Sequence, residues 1–410
     1  MIYVVLKSAD DEPAFTKLLD DEGYTYTDFK NLPTMFSVNT PLNTFKFKES
    51  PLIESIDDGD EGESQPTSFD YTDTPLPDCR SRRRDYTDVG SAERGDSWAL
   101  ARMCRRKNPF SRTRAPYNSQ PSFKRATRTG VGVNIYIVDL GMDTSHPDFE
   151  GRAFGLDGNP FIWDFPDSGN HGLLTSSNTI GKRCGMATGA TLYFEDAPLI
   201  DSHKGQMIPK IDAIIAHYIA QGKPAVVSFS IGVKAATQAS SMAAFRLLAD
   251  AGLISCHSGG NNFEDFVTLP RAFTDSDDDM IVVGGSSIDD NLMRFNIGGT
   301  GSSERVDIYA PGQALLTAWP NSNYRGASGT SMATPLVAGV LACMLEGYQR
   351  MTTRAEVQAL RKKLIENSTK GVLRVSEVDR QKFHFFDNKN RLVYLDPELA
   401  IEDIEGLTKA

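Results

Sequence analysis

Apolar residues follow two different spacings along the chain, and a stretch with neither spacing separates them. Ile2 to Leu6 is a β-branched apolar run that predicts a strand. From Glu12 to Leu19 the apolar positions recur at helical spacing and stop before Gly23, and Tyr24 to Val38 alternates as a hairpin with Asn31-Leu32-Pro33 at its turn. Together these predict a small α/β unit over residues 2–60. Residues 57–96 lose the pattern. Asp, Glu, Ser, Pro and Arg dominate there, and a basic run from Arg80 to Arg84 follows an acidic stretch, the composition of a solvated linker over 61–96. From Trp98 onward, apolar strands alternate with helical patterns: strands at Val133–Val138, Ala225–Ile231, Leu253–His257 and Met280–Gly284, helices at Lys210–Ala220 and Ser240–Ala251. Such alternation predicts a mostly parallel sheet with helices on both faces, with active residues gathered at the carboxyl ends of the strands.

Composition changes this picture little. The chain has 410 residues, 40% hydrophobic and 24% charged, as expected of one large folded domain and a small one. A formal net charge of −11 argues against nucleic acid or anionic membrane as a general partner. No run of about 18 apolar residues occurs, and the longest candidate, Pro335 to Leu345, contains Gly339 and reads as a buried helix. The first residues lack the basic start and apolar stretch of a secretory signal. The five scattered cysteines fit reduced thiols better than a disulfide framework, with Cys256 and Cys343 as small buried hydrophobes. The expectation from these features is a cytoplasmic or virion-associated protein.

Three short segments carry chemistry. In Val133-Asn134-Ile135-Tyr136-Ile137-Val138-Asp139 an acid ends an apolar strand; Asn170-His171-Gly172 follows a loop rich in Pro and Gly; and Ser328-Gly329-Thr330-Ser331-Met332-Ala333-Thr334-Pro335 is a small-residue turn that puts a serine in the first turn of a helix. A helix N-terminus favours negative charge there, and Pro335 is expected in the first turn, where no amide donor is lost.

These segments resemble the subtilisin-like serine proteases, and among them the proteinase K branch. Gly329 to Pro335 is similar to the family's nucleophile motif, and Asp139-Leu140-Gly141-Met142-Asp143 with Ser145 to Ala153 to its aspartate block. Trp98 to Arg102 resembles the start of the mature enzyme, Asp307 to Gly312 the segment upstream of the nucleophile, Ser258 to Asn261 the block of the oxyanion asparagine, and Val227 to Gly232 the strand lining the substrate cleft. The resemblance implies an α/β subtilisin-like fold and a serine endopeptidase in which Ser331 is the nucleophile, His171 the base and Asp139 the residue that orients the base. Asn261 and the Ser331 backbone N–H would hold the oxyanion. Ser230, Ile231, Gly232, Ser258, Gly259 and Gly260 would bind substrate. No cofactor is needed for this chemistry. Protein or peptide chains are the expected substrates, with no nucleic acid and no membrane as partners.

The first 60 residues resemble the family's inhibitory propeptide, which implies a ferredoxin-like prodomain over 1–60, a linker with a processing site over 61–96, a catalytic domain over 97–375 and a C-terminal extension over 376–410 packed on it. The resemblance also implies a calcium ion held by Asp307 and the carbonyls of Pro270 and Ala272; the alternative is a solvated acidic loop with Asp307 satisfied by amides. Three positions depart from the family. His171-Gly172 is followed by Leu173-Leu174-Thr175-Ser176-Ser177 where the family has Thr-His-Val-Ala-Gly. Leu140 cannot offer a hydroxyl to Asp139, and Leu336 replaces a usual His. The altered helix leaves one rival open, a non-catalytic structural or virion component that retains the fold; a second rival is an esterase or transferase using the same triad.

Overall fold

The computed structural model describes residues 1–58, 64–65, 98–110, 126–163, 170–197, 207–233, 238–261, 279–293, 306–375, 389–396 and 403–410. Most of the linker expected over 61–96, the Pro270 and Ala272 positions, and Cys79, His203 and His384 lie outside these residues.

Residues 1–58 form the small unit. Strands β1 (Ile2–Leu6), β2 (Tyr26–Asp28), β3 (Met35–Val38) and β4 (Ile53–Asp58) make an antiparallel sheet in the order β2-β3-β1-β4, with helix α1 (Glu12–Asp21) between the first two strands. This is the ferredoxin-like order, although a single 3-10 turn at Leu42–Thr44 stands where a second helix would cross. The hairpin expected over Tyr24–Val38 pairs Tyr26 with Val38. Ile2, Val4 and Leu6 pack with Phe15, Leu19 and Phe36 on one face. Tyr3 and Val5 face the larger unit, as period-two alternation requires.

The large unit is built on a nine-stranded sheet. Its strands in chain order are β6 (Asn134–Asp139), β8 (Ala153–Gly155), β10 (Thr191–Asp196), β11 (Ala225–Phe229), β13 (Ile254–Ser258), β14 (Met280–Ser286), β15 (Ile308–Pro311), β18 (Thr369–Lys370) and β19 (Arg391–Leu392). Two-residue strands β5 (Ser64–Gln65), β7 (Met142–Asp143), β9 (Ile162–Trp163) and β12 (Gly232–Val233), and the hairpin β16 (Leu315–Trp319) with β17 (Asn323–Ala327), lie outside it. Pairing is parallel from β8 through β10, β6, β11, β13 and β14 to β15.

Alternation along the central strands divides the core in two. Ile135, Ile137, Val226, Ile281 and Val283 face one layer, while Tyr136, Val138, Val227, Phe229 and Val282 face the other. Both faces are covered, which is why these strands read as continuous apolar runs. The first layer holds α2 (Trp98–Met103), α3 (His171–Ile180) and α6 (Thr330–Leu345). The second holds α4 (Met207–Gln221) and α5 (Gln238–Asp250). Every residue of α6 is buried, so its lack of a polar face reflects a helix sunk through the core. Helix α7 (Arg354–Asn367) is different: it is amphipathic and opens with a capping box between Thr353 and Glu356. The four described cysteines, Cys104, Cys184, Cys256 and Cys343, are buried.

Candidate active site

Asp139 ends β6, a strand flanked by β10 and β11 in the middle of the parallel sheet. The chain reaches α3 through Asn170, which adopts the left-handed conformation (φ 55°, ψ 56°) that Asn tolerates better than most residues. The turn places His171 first in the helix. The free N–H groups at the helix start donate to the loop that follows Asp139, Gly172 N to Leu140 O (2.6 Å) and Leu173 N to Gly141 O (3.0 Å). Helix start and strand end are therefore tied directly. A Cβ on Gly172 would lie 2.6 Å from the Gly141 carbonyl and 2.5 Å from the Phe194 ring, so only glycine permits this approach.

The tie brings His171 Nδ1 to 2.5 Å from Asp139 Oδ1, with both side chains buried. The Leu140 amide also donates to Oδ1 (2.7 Å), and the Thr175 hydroxyl donates to Oδ2 (2.8 Å). The run after His171, altered from the family pattern, still forms one helix; two more of its hydroxyls find partners within the fold, while the buried Ser176 Oγ has none among the described residues. Ser177 Oγ accepts from Ala318 N (2.8 Å), and Thr179 Oγ1 donates to Thr175 O (2.9 Å).

Ser331 is the second residue of α6, and its hydroxyl donates to Ser230 O (3.2 Å) while Ser230 Oγ donates to Ser331 O (3.0 Å). This corrects the expectation for Pro335, which lies in the second turn and does remove a helical donor. The carbonyl it leaves without a helical partner is that of Ser331, four residues back, and the Ser230 hydroxyl occupies it.

Asn261 follows β13 with its Oδ1 accepting from Thr330 N (2.9 Å) and Thr330 Oγ1 (3.0 Å). Thr330 Oγ1 in turn accepts from Gly260 N (3.2 Å). With the oxygen so engaged, the amide nitrogen faces Gly329. A Cβ on Gly329 (φ 150°) would meet Asn261 Nδ2 at 3.2 Å and Ser331 N at 3.7 Å. The absent side chain leaves the space between these two donors open. Thr330 and Thr175 escaped the sequence reading, although Thr175 lies four residues after His171 and so on the same helical face.

Among the residues expected to bind substrate, Ser230 and Ile231 follow β11, and Ser258 ends β13. Gly259 is held by its N–H to Val283 O (2.9 Å), and Gly260 has φ 91°. Gly232 belongs to β12, which pairs antiparallel with β5. His146, expected to be structural, accepts the Asp148 N–H at Nδ1 (3.2 Å) and packs against Phe149 and Tyr324. His257 is fully buried, stacked on Phe229 with ring centroids 5.0 Å apart, and burial pushes its imidazole down to about 3.

The calcium expectation meets an obstacle at Asp307. Its Oδ1 takes a charged hydrogen bond from Arg361 Nη2 (2.7 Å) with Lys389 Nζ at 3.4 Å, and its Oδ2 accepts from Val282 N (3.0 Å). A divalent cation on this carboxylate would face a guanidinium and an ammonium. The residues present do not fit calcium there, and the alternative of a carboxylate satisfied by donors describes Asp307 better, with cations as well as an amide.

Comparison with known proteins extends these observations. The Peptidase S8 subtilase family matches residues 130–385. A Subtilisin-like protease 1 of Trichophyton rubrum is 30% identical over 256 residues, 61% of this chain and 46% of that protein. A Cuticle-degrading protease of Metarhizium anisopliae is 32% identical over 287 residues, 68% of this chain and 67% of that protein. Among solved structures, a cold adapted subtilisin-like serine proteinase superposes with a TM-score of 0.52 at 25% identity, covering 74% of this chain and 98% of that one. The match spans 44 to 59% of the length of the Trichophyton and Arthroderma relatives, about half. The relatives also overturn the expected cytoplasmic or virion-associated location. They are fungal subtilisin-like proteases, one of them named for degrading cuticle, and point to an extracellular rather than a cytoplasmic protein. The subtilase match covers most of the large unit, and the structural neighbour shares its parallel sheet; the chain belongs to the subtilase family.

Proposed function

We propose that the chain is a serine endopeptidase that cleaves protein substrates through an acyl-enzyme. The observation that carries the reading is the buried pair of His171 and Asp139, 2.5 Å apart, in a chain whose nucleophile motif opens a buried helix. With Asp139 ionised, His171 Nδ1 keeps its proton and Nε2 is left basic. Ser331 turns its hydroxyl from Ser230 O to Nε2, loses the proton there and attacks the scissile carbonyl. The imidazolium is stabilised by Asp139, which does not itself take the proton. The oxyanion settles above Gly329, between Asn261 Nδ2 and Ser331 N, with the N-terminal end of α6 adding favourable potential. His171 then gives its proton to the leaving amine, and water repeats the sequence in reverse to free Ser331. No cofactor takes part.

The same reading assigns the first 60 residues as a prodomain, 61–96 as the linker that is cut, 97–375 as the catalytic domain and 376–410 as an extension packed on it. Three contacts support the prodomain. Asp57 accepts from Ser240 N (2.5 Å) in the first turn of α5, Asn31 N donates to Asp212 Oδ1 (2.8 Å) on α4, and β5 adds antiparallel to β12 directly after Ser230 and Ile231. A strand added at that edge occupies the cleft as an extended substrate would. Self-cleavage between about Glu61 and Ser97 would turn this intramolecular contact, held at an effective concentration in the millimolar range, into a dissociable one.

The test is labelling of the full chain and its processed form with a fluorophosphonate, followed by mapping of the modified peptide. Label on Ser331, and an uncut, inactive Ser331→Ala protein, are the expected results. Peptide hydrolysis by pure Ser331→Ala protein would end the assignment. A folded 1–65 fragment that fails to inhibit the processed enzyme would remove the prodomain role alone.

A further inference from the structure

Asp139 lies wholly buried at the end of β6, and a buried carboxylate needs donors on both oxygens. Oδ1 has two, His171 Nδ1 and the Leu140 amide. For Oδ2, Thr175 Oγ1 at 2.8 Å is the donor among the described residues. The adjoining residue on the strand side, Leu140, has no hydroxyl to give and is packed into the second core layer with Val138 and Phe229. We propose that Thr175 is a positioning residue for the acid of the triad. It supplies from the histidine helix the hydroxyl that position 140 lacks. The proposal rests on the triad reading above and deepens it.

Three features favour this role over incidental packing. Thr175 lies one helical turn after His171, so the base and the hydroxyl project from the same face of one helix. One rigid element thus grips both oxygens of the carboxylate, Oδ1 through the imidazole and Oδ2 through the hydroxyl. The hydroxyl has a single proton and two acceptors in reach, Asp139 Oδ2 at 2.8 Å and Gly172 O at 3.2 Å. The nearer, charged oxygen is the stronger acceptor. Finally, the helix is buried on every side, so bulk water does not compete for the hydroxyl.

The consequence for catalysis is geometric. A carboxylate held at Oδ2 cannot rotate about its Cβ–Cγ bond, and Oδ1 stays in line with the proton on His171 Nδ1. Without the hydroxyl, a buried Oδ2 lacks a donor and the carboxylate turns to compensate, weakening the contact that stabilises the imidazolium in the transition state. Thr175 bonds to the acid and to helix backbone, so its loss should act on turnover and not on substrate affinity.

Thr175→Val is nearly isosteric and removes only the hydroxyl; Thr175→Ser keeps it. Peptide turnover would be measured on both, normalised to sites titrated with fluorophosphonate, beside wild type and Ser331→Ala. The downfield proton resonance of His171 Nδ1 would be recorded on the same proteins. The expected result is roughly a tenfold fall in kcat for Thr175→Val with KM within twofold, in line with loss of one hydrogen bond to a charged group. Thr175→Ser should recover most of that loss, and the downfield resonance should move in the valine variant and return toward its place in the serine variant. A Thr175→Val enzyme with wild-type kcat and an unmoved resonance overturns the proposal, as does an equal loss in both variants. In either case an inactive Ser331→Ala protein leaves the triad reading standing, whereas an active one removes that reading first.

Discussion

The buried His257 predicts a specific acid weakness. Its ring stacks on Phe229 at an interplanar angle of 11°, lies edge-on to Phe245 and bonds Ser255 Oγ through Nε2 (2.9 Å). Burial lowers its pKa from 6.5 to about 3, so the folded protein keeps the imidazole neutral where the unfolded chain protonates it. The sign follows from proton binding. Below pH 6.5 the unfolded state binds a proton that the folded state refuses, and stability falls as pH drops toward 3. The loss from this one group is about 2 kcal/mol at pH 5 and roughly 4–5 kcal/mol near pH 3, at about 1.4 kcal/mol per pH unit. Against a total stability of roughly 5–15 kcal/mol, that is enough to set the acid limit of the fold. The assay is urea unfolding from pH 4 to 8 on Ser331→Ala protein, which should not digest itself, with and without His257→Asn. The asparagine variant should be less stable at pH 8, but its stability should fall less steeply between pH 6 and 4, by close to one proton. Parallel pH dependences in the two proteins, or an imidazole of His257 that titrates near pH 6 by NMR, would refute the reasoning.

Other perturbations test the remaining geometry. Asn261→Ala should lower kcat by roughly a hundred- to a thousand-fold with little change in KM, because the amide meets the oxyanion mainly in the transition state; steady-state kinetics decides, and an unchanged kcat leaves Asn261 as a turn residue. Gly172→Ala should cost about 1–3 kcal/mol and lower activity, since the new methyl must displace either the Gly141 carbonyl or the Phe194 ring; a melting curve and turnover equal to wild type would contradict the tie between helix and strand. At Asp307, a chelator should leave the melting temperature unchanged while Arg361→Met lowers it, by an amount corresponding to about 1–3 kcal/mol, because a mostly buried carboxylate loses its guanidinium. A chelator-induced fall in wild type that Asp307→Ala abolishes would restore calcium to that carboxylate.

Much of the architecture was legible because its causes are local. β6 is buried on both faces, so it reads as one apolar run, and the expected Val133–Val138 differs from the observed Asn134–Asp139 by a single residue at each end. Helix α4 is covered mainly on one side and shows it in its spacing, whereas α5 lies between the large sheet and the small unit. The positions that misled are those whose partners are distant in sequence. Pro335 looked like a first-turn proline because nothing nearby shows that Ser230, 101 residues before Ser331, would take up the carbonyl it frees. Asp307 looked like a calcium ligand because Arg361, 54 residues later on α7, is invisible to a reading of the loop. The expected location failed for another reason: composition and cysteine count constrain a compartment weakly, and the relatives carry that information instead.

The departures around Asp139 show the same limit at the site itself. Read position by position, Leu140 is a lost hydroxyl and the segment after His171 an altered helix, two separate departures, of which the helix is the one feature that favours a non-catalytic relic. In three dimensions they are one change. The helix is intact from His171 to Ile180, and a threonine in it reaches the carboxylate oxygen that position 140 leaves without a donor. A chain released from the need to orient Asp139 would have no physical reason to keep a buried hydroxyl at that oxygen, where an aliphatic residue of the same shape would pack as well against a neutral neighbour. The cost of desolvating an unpaired carboxylate supplies the reason only while Asp139 remains charged. The donor at Thr175 is therefore better explained by a working Asp139–His171 pair than by a fold kept for its shape.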